Sequence, residues 1–381
     1  MSFEEKTAEI EGSLKCKNCG ALLHFKPGTH SLQCEYCSTV NEIDVPPAGE
    51  IKIRAVDYDT FITESESTAN TREAIVVKCT NCGASTTLQP GITASTCPFC
   101  ASPLVVNINS TRRIQKPHYV LPFIIKKETA VDNFNKWLKG LWWAPSDLSK
   151  TVSMGAGSQL QGVYIPHWSY DADTVTRYTG QRGEYRYRTE TYTAEVDGRT
   201  EIRTRQVRYT EWYPASGVVS CSFRDVLVSA SPSLPQKTAS TLEPWHLEQL
   251  VQFDERFLSG FRAETFQTSP TEGLAIAKRI MDPAIRNTIC ADIGGDDQQI
   301  SNYNSEYNNK GIKYIMLPVW LNAYRYNGKV YQFVVNACTG EVVGERPWSW
   351  VKIALAILAG ILAIAAISFF LSQSSNASGT Y

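Results

Sequence analysis

The sequence predicts a multidomain protein with two small N-terminal modules, a central α+β region made mostly of antiparallel strands, and one C-terminal hydrophobic helix. Three observations predict this organisation. Four Cys-x-x-Cys pairs precede residue 101, residues 111–347 are rich in aromatic and β-branched side chains punctuated by proline, and residues 353–371 carry no charge. The formal net charge of −1 does not indicate general attraction to nucleic acid.

Eight of the eleven cysteines form two sets of four, one in the module 1–45 and one in the module 76–110. In each set, fourteen residues separate the two Cys-x-x-Cys pairs, and the second set follows the first by 63 residues. Four thiolates complete a tetrahedron, so each module is predicted to be a rubredoxin-like zinc ribbon. Two structural Zn²⁺ ions per chain are therefore expected. The predicted metal ligands are Cys16, Cys19, Cys34, Cys37, Cys79, Cys82, Cys97 and Cys100.

The repeat extends beyond the ligands, since KCKNCGALLHFKPGTHSLQCEYC aligns with KCTNCGASTTLQPGITASTCPFC. Gly20 and Gly83 follow the second ligand of each module, where the turn needs a backbone conformation that glycine adopts easily. A redox dithiol and a rubredoxin-type iron site remain alternatives to zinc. His24 and His30 are expected to be surface residues, because four cysteines already satisfy the metal.

Residues 46–75 are predicted to be a linker, because EIDVPPAGE is rich in turn formers and TESESTANTRE is polar. The two ribbons are accordingly expected to be independent of each other. Residues 1–115 contain ten Lys or Arg against thirteen Asp or Glu, a net charge of −3. Nucleic-acid binding rests on cation–phosphate contacts, so protein binding is favoured for the ribbons and nucleic-acid binding is the alternative.

Prolines and one long helical pattern are the clearest structural signals in the central region 111–347. Pro166 and Pro318 each adjoin aromatic residues and are predicted to lie at strand edges or strand starts. A ligand groove lined by these segments is the alternative. An amphipathic helix is predicted from Thr271 to about Asp292, with an interruption near Pro283.

Residues 181–211 predict a projecting β-hairpin arm around the turn Asp197-Gly198. Its seven Arg and six acidic residues cannot be buried in a core. The predicted register gives three facing pairs, the first a cation–π contact and the second an ion pair: Tyr192 with Arg203, Glu190 with Arg205, and Tyr187 with Arg208. A solvated arm and a partner-binding arm fit this pattern equally well. The candidate partner-binding residues are Tyr187, Tyr192, Arg203, Arg205 and Arg208.

Residues 351–371 are predicted to be a transmembrane helix, because a helix of about 20 apolar residues spans the hydrocarbon layer. Arg346 and Lys352 lie before it, and the tail 372–381 has no basic residue. The positive-inside rule then predicts a single-pass protein of the cell membrane, with its bulk in the cytosol and a short extracytosolic tail. The spacing Ala356-x-x-x-Gly360 fits homo-oligomers through this helix, although small residues are common in membrane helices.

The sequence carries no convincing catalytic motif. The sequence contains neither the G-x-x-x-x-G-K-[ST] phosphate loop nor the G-x-S-x-G nucleophile elbow. The lone cysteines Cys221, Cys290 and Cys338 are predicted to be small apolar residues rather than nucleophiles. The chain is therefore predicted not to be an enzyme, and a hydrolase within residues 111–347 is the remaining alternative.

Four features together carry a resemblance to a known family: the double ribbon, YIPHWSYDADTVTRYTG, MLPVWLNAYRYNGKVYQFVVNACTGEVVGERPWS and the tail helix. They resemble a bacterial family of membrane-anchored proteins with two TFIIB-type zinc ribbons. Its members are often labelled primosomal replication helicases, a label that the missing nucleotide-binding loop contradicts here.

The resemblance implies a place beside phage-shock-type coat proteins and SPFH (flotillin-like) proteins in envelope-stress systems. The implied role is recruitment of soluble protein partners to the membrane. We therefore expect a membrane-tethered zinc-ribbon adaptor, with a membrane-tethered nucleic-acid-binding protein as the alternative.

Overall fold

A computed structural model describes residues 14–44, 53–65, 71–88, 94–105, 111–148, 160–196, 199–234 and 236–377. The predicted fold class is confirmed: two four-cysteine groups lie near the N-terminus, a mostly antiparallel sheet follows, and one apolar helix ends the described chain. The predicted turn Asp197-Gly198 lies outside the described residues.

The first ribbon is an antiparallel sheet in the order β1-β2-β3. Its first hairpin turns at Pro27-Gly28, and Gly28 has a φ of 78° that an L side chain rarely adopts. Its strands are β1 (Leu23–Phe25), β2 (Ser31–Cys34) and β3 (Val40–Glu42).

The second ribbon combines a sheet in the order β6-β5-β9 with the pair β7-β8. Its first strand, β5, begins before the predicted limits 76–110 and its last strand, β9, lies beyond them, because these two strands pair with each other. Its strands are β5 (Thr71–Lys78), β6 (Ser85–Leu88), β7 (Ala94–Thr96), β8 (Pro103–Val105) and β9 (Thr111–Gln115).

The central region is built on one large sheet whose main path is β12-β11-β15-β10-β13. Further strands flank this path: β4 and β16 pair with β15, β14 pairs with β11, and β17 pairs with β16. The pairs β10–β15 and β11–β14 are parallel, and the others are antiparallel. The strands are β4 (Val56–Asp57), β10 (Tyr119–Val120), β11 (Gln161–Val196), β12 (Arg199–Ser229), β13 (Val251–Gln252), β14 (Arg262–Ala263), β15 (Asp297–Tyr326), β16 (Lys329–Asn336) and β17 (Val342–Gly344).

Five α-helices lie within the described ranges, together with two 3₁₀ turns at Leu247–Gln249 and Glu255–Leu258. The helices are α1 (Tyr58–Ser65), α2 (Lys127–Lys139), α3 (Gln236–Thr241), α4 (Pro270–Ile293) and α5 (Trp350–Ala377).

Helix α4 covers β11 and β12 with one apolar face. A capping box between Ser269 and Glu272 starts it. The predicted interruption near Pro283 is wrong, because the helix runs through this residue. Burial of the apolar face on both sides of the proline offsets the loss of about 3 kcal/mol that an interior proline causes. The buried positions include Leu274, Ala277, Met281, Ile285 and Ile289.

The prediction that Pro166 and Pro318 lie at strand edges or starts is also wrong, since both lie inside long strands. Their carbonyls accept hydrogen bonds from the amides of Ala230 and Ala337. In a strand, the nitrogen of a residue points to the same side as its carbonyl. On that side of β11, pairing with β14 stops before Pro166 and pairing with β12 starts after it. On that side of β15, pairing with β10 stops before Pro318 and pairing with β16 starts after it. Neither proline nitrogen therefore lies where a ladder hydrogen bond is needed.

The predicted linker contributes to the central core instead of separating the ribbons. Strand β4 pairs with β15, and helix α1 buries Phe61. The Phe61 ring lies 5.5 Å from His118 and 5.9 Å from Trp168, measured between ring centroids. The expectation of two independent ribbons is therefore wrong, because the segment between them and both ribbons pack on one domain.

Beyond the central domain, helix α5 exposes most of its apolar side chains over the described positions. Residues Trp350–Ser368 are long and apolar enough to cross a membrane. This agrees with the predicted C-terminal anchor.

Candidate metal centres and the exposed arm

The first four-cysteine group is formed by two similar turns. The amide of Gly20 donates to the carbonyl of Cys16 over 2.8 Å, and the amide of Ser38 donates to the carbonyl of Cys34 over 3.0 Å. Gly20 and Ser38 both have positive φ, at 73° and 58°, which turns the chain back beneath its sulfur atoms. The Sγ separations are 3.5 Å for Cys16 and Cys37 and 3.5 Å for Cys19 and Cys34.

The second group repeats this geometry 63 residues later. The amides of Gly83 and Ala101 donate to the carbonyls of Cys79 and Cys97, each over 2.9 Å. Gly83 and Ala101 have φ values of 79° and 57°. The Sγ separations are 3.6 Å for Cys79 and Cys100 and 3.7 Å for Cys82 and Cys97.

Both groups fit a tetrahedral zinc ion. Zn–S bonds of about 2.3 Å place two sulfurs of a tetrahedron about 3.8 Å apart. In each group the four sulfurs lie within 4.8 Å of one another, so each can hold one structural metal ion. The Thr39 hydroxyl lies 3.1 Å from the Cys37 sulfur and lowers the pKa of Cys37 to about 5, which favours the thiolate that a metal binds.

The ribbon histidines do not belong to these groups. His24 lies beside a carboxylate, with its Nδ1 2.9 Å from Oε1 of Glu35. His30 is exposed at the surface. Neither is needed, because four cysteines complete each tetrahedron.

The first ribbon is seated on the central domain by aromatic packing. The ring of Phe25 lies 5.3 Å from that of Phe257 and 6.3 Å from that of Phe261. Backbone bonds support this contact, since the Phe25 amide donates to the Ser259 carbonyl over 3.0 Å and the Ser259 hydroxyl donates to the Leu23 carbonyl. None of these contacts of the first ribbon involves an ionised side chain.

The second ribbon shares an apolar cluster with the central domain, which includes Leu88 and Phe99, and is also held by polar contacts. The Arg262 guanidinium donates to the Thr96 carbonyl over 2.6 Å, and the Thr87 hydroxyl donates to the Ala263 carbonyl over 3.0 Å. The Gln332 amide also donates to the ribbon, at the carbonyl of Phe99. Strand pairing, a side-chain amide and a guanidinium thus supplement apolar packing in the second seat, whereas pairs of aromatic rings hold the first.

Glu264 lies beneath the second ribbon and is only 1% exposed. It forms a β-bridge with Thr86, and its Oε1 accepts a hydrogen bond of 2.6 Å from the Ser231 hydroxyl. Its other oxygen has no hydrogen-bond partner within the described residues. Burial raises the pKa of Glu264 to about 7, so this carboxyl titrates near neutral pH.

The arm is the part of β11 and β12 that pairs with no third strand within the described residues. Strand β15 pairs with β11 only as far as Gly183, which faces Asp297. Residues 184–196 and 199–211 then continue as a two-stranded ribbon, so the predicted start at residue 181 is three residues early. Thirteen residues at about 3.3 Å each extend roughly 40 Å.

The register of the arm separates its side chains into two faces. The hydroxyl face carries six threonines with two tyrosines, Ile202, Gln206, Arg208 and Glu195. The charged face carries five arginines, four glutamates and two tyrosines, together with the apolar residues Ala194 and Val207. The threonines of the hydroxyl face are Thr189, Thr191, Thr193, Thr200, Thr204 and Thr210.

Four arginines of the charged face, Arg186, Arg188, Arg203 and Arg205, contact glutamates of the same face. Arg186 lies 3.1 Å from Glu184 and 3.2 Å from Glu211. Glu190 is shared by Arg188 at 2.7 Å and Arg205 at 3.4 Å. Exposed pairs of this kind contribute about 0–1 kcal/mol to stability, but they leave little excess positive charge.

The predicted register of the arm is confirmed at all three pairs, and the Glu190–Arg205 ion pair is present. The predicted cation–π partner of Tyr192 is wrong. Arg205, diagonally across the strands, lies 5.5 Å from the Tyr192 ring centroid, because diagonal side chains on one face are within reach of each other.

The five candidate partner-binding residues do not form one surface. Tyr187 and Arg208 lie on the hydroxyl face, whereas Tyr192, Arg203 and Arg205 lie on the charged face. The alternation of threonine with charged residues along the arm was the signal that could have separated these faces. No sequence signal marks Glu264, which becomes notable only through burial.

Comparison with known proteins finds one curated relative, the uncharacterized protein YdjG of Bacillus subtilis (strain 168). It is 27% identical over 343 residues, which cover 90% of this chain and 92% of YdjG. No family model and no solved structure matches the chain.

Proposed function

We propose that this protein is a membrane-tethered zinc-ribbon adaptor that recruits soluble protein partners to the cytosolic face of the membrane. The arm is the observation that carries this proposal. It leaves the sheet after Gly183 and exposes apolar side chains on its hydroxyl face, with Ile202 75% and Tyr187 66% exposed. Exposed tyrosine on a rigid ribbon is typical of a protein-binding surface.

The charge pattern of the arm supports a protein partner over nucleic acid. Binding of phosphates requires arginines or lysines that can exchange their counterions. On the charged face, the guanidinium groups of Arg186, Arg188 and Arg205 already contact glutamates. The hydroxyl face offers mostly threonine, tyrosine and isoleucine, and its single arginine, Arg208, lies 4.1 Å from the Tyr185 ring centroid, which suits a protein surface with little net charge.

The ribbons serve this function as structural parts. Four thiolates per metal leave no coordination position for water or substrate. Both ribbons pack on the domain from which the arm projects, so the metals stabilise the platform that holds it.

Helix α5 supplies the membrane tether. Arg346 and Lys352 at its start favour an orientation with the bulk of the chain in the cytosol. Confinement to the membrane raises the effective concentration of any bound partner there. Small residues in α5 also fit a homo-oligomer through this helix.

The partner class comes from the resemblance described above, which points to SPFH or phage-shock-type proteins in envelope stress. The uncharacterized relative YdjG adds no partner of its own. We therefore propose these proteins as the first candidates.

The sharpest test changes one face of the arm at a time. Ile202→Glu places a charge on the hydroxyl face, and Arg203→Gln is the matched control on the charged face. We expect Ile202→Glu to abolish cross-linking of the partner in native membranes, and Arg203→Gln to retain it. Because both positions are exposed, neither change should move stability by more than about 0.5 kcal/mol.

Nucleic-acid binding is measured in parallel at low and physiological salt. Tight binding with a steep salt dependence would favour the nucleic-acid alternative. Equal partner cross-linking by wild type and Ile202→Glu would contradict the role of the arm. Deletion of residues 1–105 is a poorer test, because it would uncover Phe257 and Phe261 of the central domain.

A further inference from the structure

The loop 140–144, which follows helix α2, is bonded to the first turn of helix α5. The amide of Ser349 donates to the Trp143 carbonyl over 2.8 Å. The Lys352 ammonium donates to the carbonyls of Trp142, over 3.1 Å, and Ala144, over 2.8 Å. These bonds fix the loop beside the start of the apolar helix.

The loop also extends along the helix. An open cavity of about 440 Å³ is lined by Trp143 and Trp348 together with Ile353, Ala356 and Ile357 of α5. Ile357 lies seven residues beyond Trp350, which corresponds to about 10 Å along a helix axis. The Trp143 side chain therefore lies at the level of the first two turns of the span.

Three tryptophans near the start of helix α5 are exposed at the protein surface. Trp142 is 76% exposed, Trp350 is 79% exposed, and Trp348 is 54% exposed. The Arg346 guanidinium lies 4.7 Å from the Trp348 ring centroid. Tryptophans with adjacent cations are typical of the layer between hydrocarbon and water in a membrane.

We propose that the loop 140–144 inserts into the headgroup layer of the bilayer that α5 spans, and that the cavity beside Trp143 takes an acyl chain of a phospholipid. The reason is geometric: the headgroup layer is roughly 6 Å deep on each side, and the loop is bonded to a helix that crosses it. The inference rests on the proposed membrane anchor. Its consequence is a second attachment, which fixes the tilt of the cytosolic domain and the direction of the arm.

The test uses the full chain reconstituted in phosphatidylcholine–phosphatidylglycerol vesicles, with p-benzoylphenylalanine in place of Trp142. After illumination, lipid adducts are measured by mass spectrometry. Two further chains carry the photoreactive residue at Ile357, inside the span, or at Tyr36, which is exposed on the first ribbon. We expect the yield at position 142 to approach that at 357 and to exceed that at 36 by at least about tenfold.

The possible outcomes separate this inference from the proposed anchor. Adducts at 357 without adducts at 142 would overturn the inference and leave the anchor intact. No adduct at either position would overturn both. A cross-link from position 142 to a second copy of the chain would also overturn the inference, because Trp142 would then lie in an oligomer contact.

Lys352→Met adds a test of the attachment itself. It removes the two ammonium–carbonyl bonds while keeping an unbranched apolar side chain. Adducts at 142 should fall several-fold in this variant and those at 357 should persist. Unchanged adducts at 142 would show that Lys352 does not hold the loop in the membrane. Zinc content near that of the parent chain confirms folding.

Discussion

The two ribbons share one sequence pattern but are attached to the protein by different chemistry. Their metal frames are nearly the same, with paired sulfurs 3.5 Å apart in the first and 3.6–3.7 Å apart in the second. The first ribbon inserts Phe25 between aromatic rings of the central domain, whereas the second receives Arg262 and Gln332 from it. The cysteine pattern common to both ribbons thus determines the metal frame, whereas positions that differ between the two copies, such as Phe25 and Leu88, together with their partners in the central domain determine the seat.

The largest effect is expected from removing one buried ligand in each ribbon. Cys34→Ser and Cys97→Ser change equivalent positions, and each should reduce zinc from about two ions per chain to about one. Each loses metal-binding free energy on the order of 10 kcal/mol. Only Cys34→Ser should also speed amide exchange at Glu255–Leu258, where the first ribbon packs.

Elemental analysis and hydrogen exchange measure these outcomes, and Cys221→Ser, outside both groups, is the control. Zinc below one ion per chain in the freshly reduced wild type would contradict the metal assignment. If both ligand variants speed amide exchange at Glu255–Leu258 equally, the two seats do not differ in the way described.

Two substitutions test the seats of the ribbons while leaving the metal ligands in place: Phe25→Ala in the first ribbon and Leu88→Ala at the equivalent position, 63 residues later, in the second. Both side chains are buried, so both changes should destabilise, by about 4 and about 3 kcal/mol respectively. Denaturant unfolding gives these values. Faster exchange around Phe257 should follow Phe25→Ala alone, and zinc content should remain at two. Loss of zinc in Phe25→Ala would mean that the metal frame depends on its seat.

The same contrast explains what the sequence could and could not predict. Cysteine spacing predicted both metal frames, and pairing outward from the turn Asp197-Gly198 predicted the arm register, because each depends on neighbours in the chain or on a single turn. The seats depend on contacts across long separations, such as Phe25 with Phe257 and Phe99 with Gln332. Residues 46–75 look like a linker in composition, yet Phe61 becomes a core residue only when Trp168 lies beside it.

A pH change should affect the second seat through Glu264. Its pKa, raised by burial to about 7, lies above the value near 4.5 of an ordinary glutamate. The folded state therefore binds the proton more tightly, and the resulting stability is present below about pH 4.5 and is lost as pH rises through about 7. From pH 5 to 8, wild type should lose up to about 3 kcal/mol relative to Glu264→Gln.

The comparison with Glu264→Gln isolates this carboxyl. His167, whose pKa burial lowers to about 4, acts in the opposite direction but is present in both proteins. Urea unfolding at several pH values measures the difference, and amide exchange should quicken at Ser85–Leu88 while the first ribbon stays protected. Parallel pH profiles for the two proteins would show that Glu264 is not a buried acid in the folded protein.

The smallest effect compares one threonine in each ribbon. The Thr87 hydroxyl donates to the Ala263 carbonyl of the central domain, whereas the Thr29 hydroxyl bonds within its own ribbon, to the Lys26 carbonyl at 2.7 Å. Thr87→Val and Thr29→Val each remove a hydroxyl with little change in shape and should cost about 1 kcal/mol. Only Thr87→Val leaves an acceptor on the central domain unsatisfied, so only it should quicken amide exchange at both Ser85–Leu88 and Ala263. If Thr29→Val loosened the contact of Phe25 with Phe257 to the same degree, the first seat would depend on polar bonds as well, and the contrast between the two ribbons would fail.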